Sequence, residues 1–394
     1  MSRPRTYQLR CRAALTGKAI LRAVLSLLVA GSVAAPGPVA AAGPFQTGLA
    51  AWRAVEGGFA GWERAGVALR PDGRMELADV DGEAISPETA TSFGAIEAIP
   101  SWNVDTPPGG WVELFLRARV GGRWTGWYAL GVWAPDDAVV QRHSVAGQRD
   151  DDGQVLTDTV RLHAPADALQ LRLRLHGAPD AHPVVRNAAI AYSTAPTAPP
   201  EVSTGDRSLW RGPLPVPACS QMVYPDGGRA WCSPTSTSMV LGYWRQDDGP
   251  CEPRVRAAVA GVYDAVYRGH GNWPFNVAYA ASQGFEGYVA RYGSLADLEP
   301  WLAAGVPVVF SFAWGPDELA GAPQPSVSGH LAVLVGFDAK GNPIVNDPAA
   351  YGDANVPRTY RRAQLEPLWL ERGGGTVYLI YPEGRFDPGA GPPR

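Results

Sequence analysis

The sequence predicts two domains: an all-β sandwich of jelly-roll type, followed by an α+β domain built around a candidate reactive cysteine. Three observations predict this. Runs in the first half alternate apolar and polar residues with period two. A proline-rich stretch then separates that half from one in which helical and strand patterns mix. The second half places Cys232 just ahead of a helical pattern and His330 at the head of an apolar strand.

The first segment bears on location. Arg3, Arg5, Arg10, Arg12 and Lys18 precede a mostly apolar run from Ala19 to Ala35, and Ala40, Ala41 and Ala42 follow. Basic, apolar and small residues in that order read as a secretory signal over residues 1–42, cut after Ala41 or Ala42. The alternative is an uncleaved membrane anchor. No later run is apolar over the roughly 18 residues that a second span needs. The chain is therefore expected to be secreted, with no transmembrane anchor after cleavage. The remaining residues suit two domains of ordinary size.

Composition narrows the partners. With 46% hydrophobic and 10% aromatic residues, the chain can bury a sizeable core. Its formal net charge of −4 gives no electrostatic footprint for nucleic acid or anionic membrane. No nucleic-acid partner is expected.

Residues 43–193 read as β. Val112, Leu114, Leu116, Ala118 and Val120 alternate with Glu113, Phe115, Arg117 and Arg119, and Leu169, Leu171, Leu173 and Leu175 repeat the pattern. Such alternation puts one face on a core and the other in water. Pro107-Pro108-Gly109-Gly110, Gly121-Gly122 and Asp150-Asp151-Asp152-Gly153 punctuate the strands, as in sandwiches and jelly rolls. Trp102, Trp111, Trp124, Trp127, Tyr128 and Trp133 crowd the middle. Most are expected to fill the core. Any left exposed could stack on sugar or peptide, which makes a cell-wall or carbohydrate ligand the partner expected of a binding module. His143, His163, His176 and His182 lack metal-ligand spacing.

Residues 194–215 form a linker in which Pro196, Pro199, Pro200, Pro213 and Pro215 forbid a regular ladder. The second domain is expected over residues 216–382, and residues 383–394 as a frayed tail.

Cys232 carries the chemistry. Pro234 suits the first turn of a helix, and Met239, Val240, Tyr243 and Trp244 give that helix an apolar stripe. Cys232 thus sits at a helix N-terminus, where unpaired amides and the dipole favour the nucleophilic thiolate. His330 follows Ser328-Gly329 and opens the apolar strand Leu331–Phe337. A turn over Asp338–Asn342 returns the chain as a strand ending at Asp347-Pro348. The hairpin brings His330 and Asp347 together, so the carboxylate can orient the ring. His270 lies in a turn-rich loop with no acidic partner in view and ranks below His330 as the base.

Removal of Cys11 with the signal leaves Cys219, Cys232 and Cys251, an odd count that suggests one bridge and one free thiol. If Cys232 is the nucleophile, Cys219 and Cys251 are the couple. Their spacing does not suit zinc. The Cys232 backbone N–H can receive an oxyanion, and Gln221, eleven residues upstream, offers a side-chain amide as second donor.

This order of Gln221, Cys232 helix, Gly329-His330 and Asn346-Asp347-Pro348 resembles the papain-like cysteine peptidases. It is most similar to the bacteriocin-leader (double-glycine) peptidases, the C39-like group, over roughly residues 216–382. The resemblance implies a papain-like α+β fold with Gln221 in the oxyanion hole and Asp347 orienting His330. It implies acyl transfer to Cys232, a peptide or protein substrate, and no metal or organic cofactor. Ser233 stands where the family often has glycine, and Pro225-Asp226-Gly227-Gly228 lengthens the interval from Gln221 to Cys232. No transporter spans or phosphate-binding loop accompany the site, so leader processing does not carry over. Transpeptidation or amidase action by the same residues, and a non-catalytic peptide- or cell-wall-binding protein, are the alternatives.

Overall fold

In the computed structural model the described residues are 45–196 and 199–386. The expected signal peptide lies outside them, as do residues 387–394 of the expected tail. Among the described residues, no helix is long and apolar enough to cross a membrane.

The first half holds strands β1 (Thr47–Arg53), β2 (Glu63–Ala65), β3 (Val67–Leu69), β4 (Met75–Leu77), β5 (Asp81–Ile85) and β6 (Thr89–Asp105). It continues with β7 (Trp111–Val120), β8 (Arg123–Trp124), β9 (Tyr128–Trp133), β10 (Gly153–Leu156), β11 (Thr159–His176) and β12 (Val184–Ser193). The alternating runs become β7 and β11. Val112, Leu114, Leu116 and Ala118 are fully buried, as are Leu169, Leu171, Leu173 and Leu175.

A sandwich of two separate sheets is not what forms. All twelve strands hydrogen-bond into one nearly closed sheet. The reason is the length of β6 and β11, at 17 and 18 residues. From Leu169 to His176, β11 pairs with β7; its Val160–Arg161 end pairs with Ala98–Glu97 of β6. Around Ala166, where the register shifts, β11 pairs with β6 on one edge and β7 on the other; beyond it β5 follows β6, from Arg172, and before it β10 precedes β7, up to Leu162. A strand that long runs from one layer into the next and carries the ladder with it.

The aromatic cluster divides. Trp102, Tyr128 and Trp133 are buried. Trp124 and Trp127 stay half-buried on the outer face, with the Arg117 guanidinium 4.6 Å from each ring. Trp111 stacks on His176 at 3.7 Å.

The second half is a six-stranded antiparallel sheet of β13 (Phe285–Arg291), β14 (Val308–Trp314), β15 (Val327–Phe337), β16 (Pro343–Asn346), β17 (Pro357–Thr359) and β18 (Thr376–Pro382). Helices α1 (Cys232–Arg245), α2 (Cys251–Val262), α3 (Trp273–Ser282), α4 (Glu299–Ala303) and α5 (Arg362–Gly373) cover it. Because β15 alternates, Leu331, Val333 and Val335 join the apolar cluster of α1, α2 and α3. Ala332 and Leu334 join the other cluster, with Trp301 of α4 and Trp369 of α5.

The halves share a core. Phe275 of α3 packs edge-on against Trp133 and Trp102, at 5.6 and 6.0 Å. Asn103 of β6 donates to the Gly287 carbonyl and accepts from the Gly287 N–H. Residues 199–215 lie against the second half, where the Trp210 indole bonds Glu299 and the Leu214 N–H bonds the Val335 carbonyl. The first residues of the expected tail are also held: the Gly384 N–H bonds Glu286, and Phe386 packs on Trp301.

Candidate active site

Cys232 is the first residue of α1, and the apolar pattern behind it explains why the helix holds its place. The expected stripe is wider than the sequence reading: Ser233 to Gly242 are all buried. Most of the buried hydroxyls find partners, Thr235 being the exception. Ser233 bonds the Tyr378 hydroxyl, Ser236 the Leu331 carbonyl, and Thr237 the Asn276 side chain. The bond from Ser236 ties α1 to β15 one residue past His330.

The hairpin forms over β15 and β16, in the register Phe337↔Pro343 and Val333↔Asn346. Asp338 secures its turn by accepting from the Lys340 and Asn342 N–H groups. His330 Nε2 lies 2.8 Å from Asp347 Oδ1. That contact leaves Nδ1 to face Cys232. Phe312 and Trp314 pack edge-on against the imidazole.

Asp347 is fully buried and its two oxygens have separate supports. Oδ1 also accepts from the Ala349 N–H at 2.9 Å, and Oδ2 accepts from the Tyr360 hydroxyl at 2.6 Å. Sequence reasoning missed Tyr360. It follows β17, and only the register of β16 on β17 brings it to Asp347.

Charge follows this geometry. Burial opposes ionisation of Cys232, yet the hydrogen bond and charge of His330, with the Leu331 and Ser233 amides, bring the thiol below its ordinary value. Burial also opposes a charged imidazole, but Asp347 and then Cys232 overcome it and push His330 up to about 10. Burial likewise opposes the Asp347 carboxylate, and His330, Tyr360 and the Ala349 amide hold it below the usual range. The three groups together favour thiolate, imidazolium and carboxylate.

Cys219 and Cys251 form a disulfide, and Cys232 is the free cysteine among the described residues. The bridge ties the strap ahead of α1 to the start of α2. Gln221 is buried and donates its amide to the Gly228 carbonyl at 2.7 Å. The two short turns at Gln221–Val223 and Gly228–Ala230 make the longer interval a compact loop, and Gln221 closes it.

The cavity at Cys232 measures about 680 Å³. Cys232, His330 and His270 line it, with Tyr267 and Trp273. Burial pushes the His270 imidazole down to about 4, so it is neutral there. The first half supplies a wall from Leu156 to Thr159, with Glu97 and Arg161. Nothing in the sequence pattern of the first half marked these residues.

Residues 213–377 match the family described as peptidase C39 like. The C-terminal half belongs to that family. Residues 48–193, ahead of the C39-like domain, match the family described as the peptidase C39 N-terminal domain. No curated protein matches the chain. Among solved structures, the C39-like peptidase candidate from Bacillus anthracis is 18% identical, at a TM-score of 0.31, over 42% of this chain and 94% of its own. A carbohydrate-binding module, TmCBM61 in complex with β-1,4-galactotriose, is 8% identical, at a TM-score of 0.19, over 37% of this chain and 87% of its own. A family two carbohydrate esterase from Cellvibrio japonicus is 9% identical, at a TM-score of 0.19, over 50% of each chain.

Proposed function

We propose that this chain is an exported cysteine peptidase of papain-like architecture that cleaves peptide amide bonds through an acyl-enzyme on Cys232. The observation that supports it most is the line of contacts from Cys232 through His330 to Asp347 and Tyr360, with the thiol lowered and the imidazole raised.

Cys232 Sγ, held as thiolate, attacks the carbonyl carbon of the scissile amide. Negative charge gathers on the carbonyl oxygen, and the Cys232 backbone N–H at the start of α1 is placed to receive it. The His330 imidazolium gives its proton to the departing amine. The neutral ring then takes a proton from water, which attacks the thioester and releases the acid. Asp347 keeps Nε2 occupied, so Nδ1 is the nitrogen that exchanges protons with sulfur and substrate. Gln221, whose amide donates to the Gly228 carbonyl, braces the loop before α1.

The test is the alkylation rate of Cys232 by iodoacetamide at pH 7, beside turnover of a peptide library. An ordinary thiol is only a few per cent ionised there, so an ionised Cys232 should react roughly 10-fold faster. His330→Ala should remove that advantage, and Cys232→Ala should abolish turnover. Equal alkylation of the wild type and His330→Ala, with no peptide cleaved, overturns the proposal. Export is tested by N-terminal sequencing of the secreted protein, which should begin after Ala41 or Ala42.

A further inference from the structure

The cavity at Cys232 is not made by the C39-like domain alone. A two-residue turn, Thr157-Asp158, joins β10 to β11 and reaches it from the first half. Leu156 pairs with Thr159 across that turn. Two-residue hairpins of this kind need positive φ at their first central position and usually place glycine or asparagine there. This one has Thr157, at φ +60°. A β-branched residue in the left-handed region is an outlier that persists only where its surroundings enforce it.

The surroundings here belong to the other domain. Asp158 is buried, and its carboxylate accepts from the Trp273 N–H at the start of α3, at 2.8 Å, and from the Thr159 hydroxyl at 3.1 Å. Behind the turn, Glu97 bridges Arg161 of the same sheet to Arg291 of β13. The hairpin is therefore fixed to the C39-like domain at two points. It stands beside the cavity as a wall and does not fill it.

Leu156 is the apolar side chain this wall presents, beside the charged Glu97 and Arg161. Leu156 is 38% exposed and lines the cavity, and Tyr267, 50% exposed, lines it from the second half. We propose that Leu156, held by the strained turn, is a specificity-determining residue that selects peptides whose apolar side chain enters the cavity shared with Cys232. The inference rests on the peptidase reading above, because it takes a peptide at Cys232 as the ligand. It makes the first domain part of the substrate cleft.

The test uses three reagents on the whole chain: iodoacetamide, and chloroacetamides carrying a leucyl or a glutamyl dipeptide. In each the Cys232 thiolate displaces halide and forms a thioether. Rates with the dipeptide reagents are divided by the iodoacetamide rate of the same variant. The wild type should favour the leucyl reagent, and Leu156→Asp should reduce the leucyl-to-glutamyl ratio roughly 10-fold, the scale on which an apolar pocket discriminates. Leu156→Ala, the milder change, should move the ratio in the same direction by less. An unchanged ratio in both variants overturns the proposal. Failure of the peptidase reading shows separately, as an iodoacetamide rate no faster than that of His330→Ala.

Discussion

Asp347 and Asp158 are both buried carboxylates, yet they are pushed in opposite directions. Asp347 meets the His330 ring, the Tyr360 hydroxyl and the Ala349 amide, and its carboxyl is held below the usual range. Asp158 meets only the Trp273 amide and the Thr159 hydroxyl, and burial pushes it up to about 6. Burial has the same sign at both sites. What differs is a cation within hydrogen-bond reach. A buried acid with one serves as a permanent anion, and a buried acid without one is a fastening that strains against its own charge.

The largest expected effect comes from erasing the charge at the first site. Asp347→Asn keeps an oxygen for His330 but loses the negative charge, so the imidazole falls towards its ordinary value and the Cys232 thiol rises. Peptide turnover should drop on the order of 10²–10⁴-fold. The stability loss should be about 3 kcal/mol, as when one partner of a buried ion pair is removed. The sign with pH follows from both partners. His330, raised in the folded state, contributes fully below about pH 6.5 and loses its contribution as pH rises through about 10. Asp347, lowered in the folded state, contributes above about pH 4 and loses it as pH falls through its folded value. The gap in unfolding free energy between wild type and variant should be widest between about pH 4 and 6.5. A gap that widens steadily towards pH 10 would contradict the ion-pair account.

The opposite result is expected at the second site. Asp158 has a folded value above its unfolded one, so its ionisation opposes folding, fully above about pH 6 and not at all below about pH 4. That penalty at pH 7 is on the order of 3 kcal/mol. Asp158→Asn retains an acceptor for the Trp273 N–H and removes the penalty. It should raise the melting temperature at pH 7 and leave it nearly unchanged at pH 4. Chemical or thermal unfolding at both values checks this, and an equal shift at both breaks the comparison between the two acids.

One of these two acids was legible in the sequence and the other was not. Asp347 could be read because His330 opens the apolar run of one strand and Asp347 follows the next, in one local hairpin whose turn is written in Asp338–Asn342. Cys232 could be read from the helical pattern behind it, and the Cys219–Cys251 bridge as the couple left over if Cys232 is the nucleophile. Asp158 is silent because its role depends on where a hairpin of one domain meets a helix of the other. The single sheet is silent too, since period-two alternation looks the same whether β6 and β11 stay in one layer or cross to the next. Gln221 was named from its order along the chain, and the bond it makes to the Gly228 carbonyl was silent in the sequence because it depends on how the loop folds.

The smallest expected effect tests the support behind Asp347. Tyr360 donates to Oδ2 at 2.6 Å, and burial together with the neighbouring carboxylate raises its phenol so far that it remains a donor throughout the working range. Tyr360→Phe removes this one bond and leaves the contact between Oδ1 and His330. A hydrogen bond to a buried charge contributes about 1.5 kcal/mol, so stability should fall by that amount. The acid limb of the activity profile should move to higher pH, because Asp347 is then less firmly held as the anion. Maximal turnover should fall several-fold with little change in KM, since the phenol touches the carboxylate and not the cleft. An unmoved acid limb would show that His330 and the Ala349 amide fix the charge of Asp347 without Tyr360, and would narrow the contrast with Asp158 to the imidazole alone.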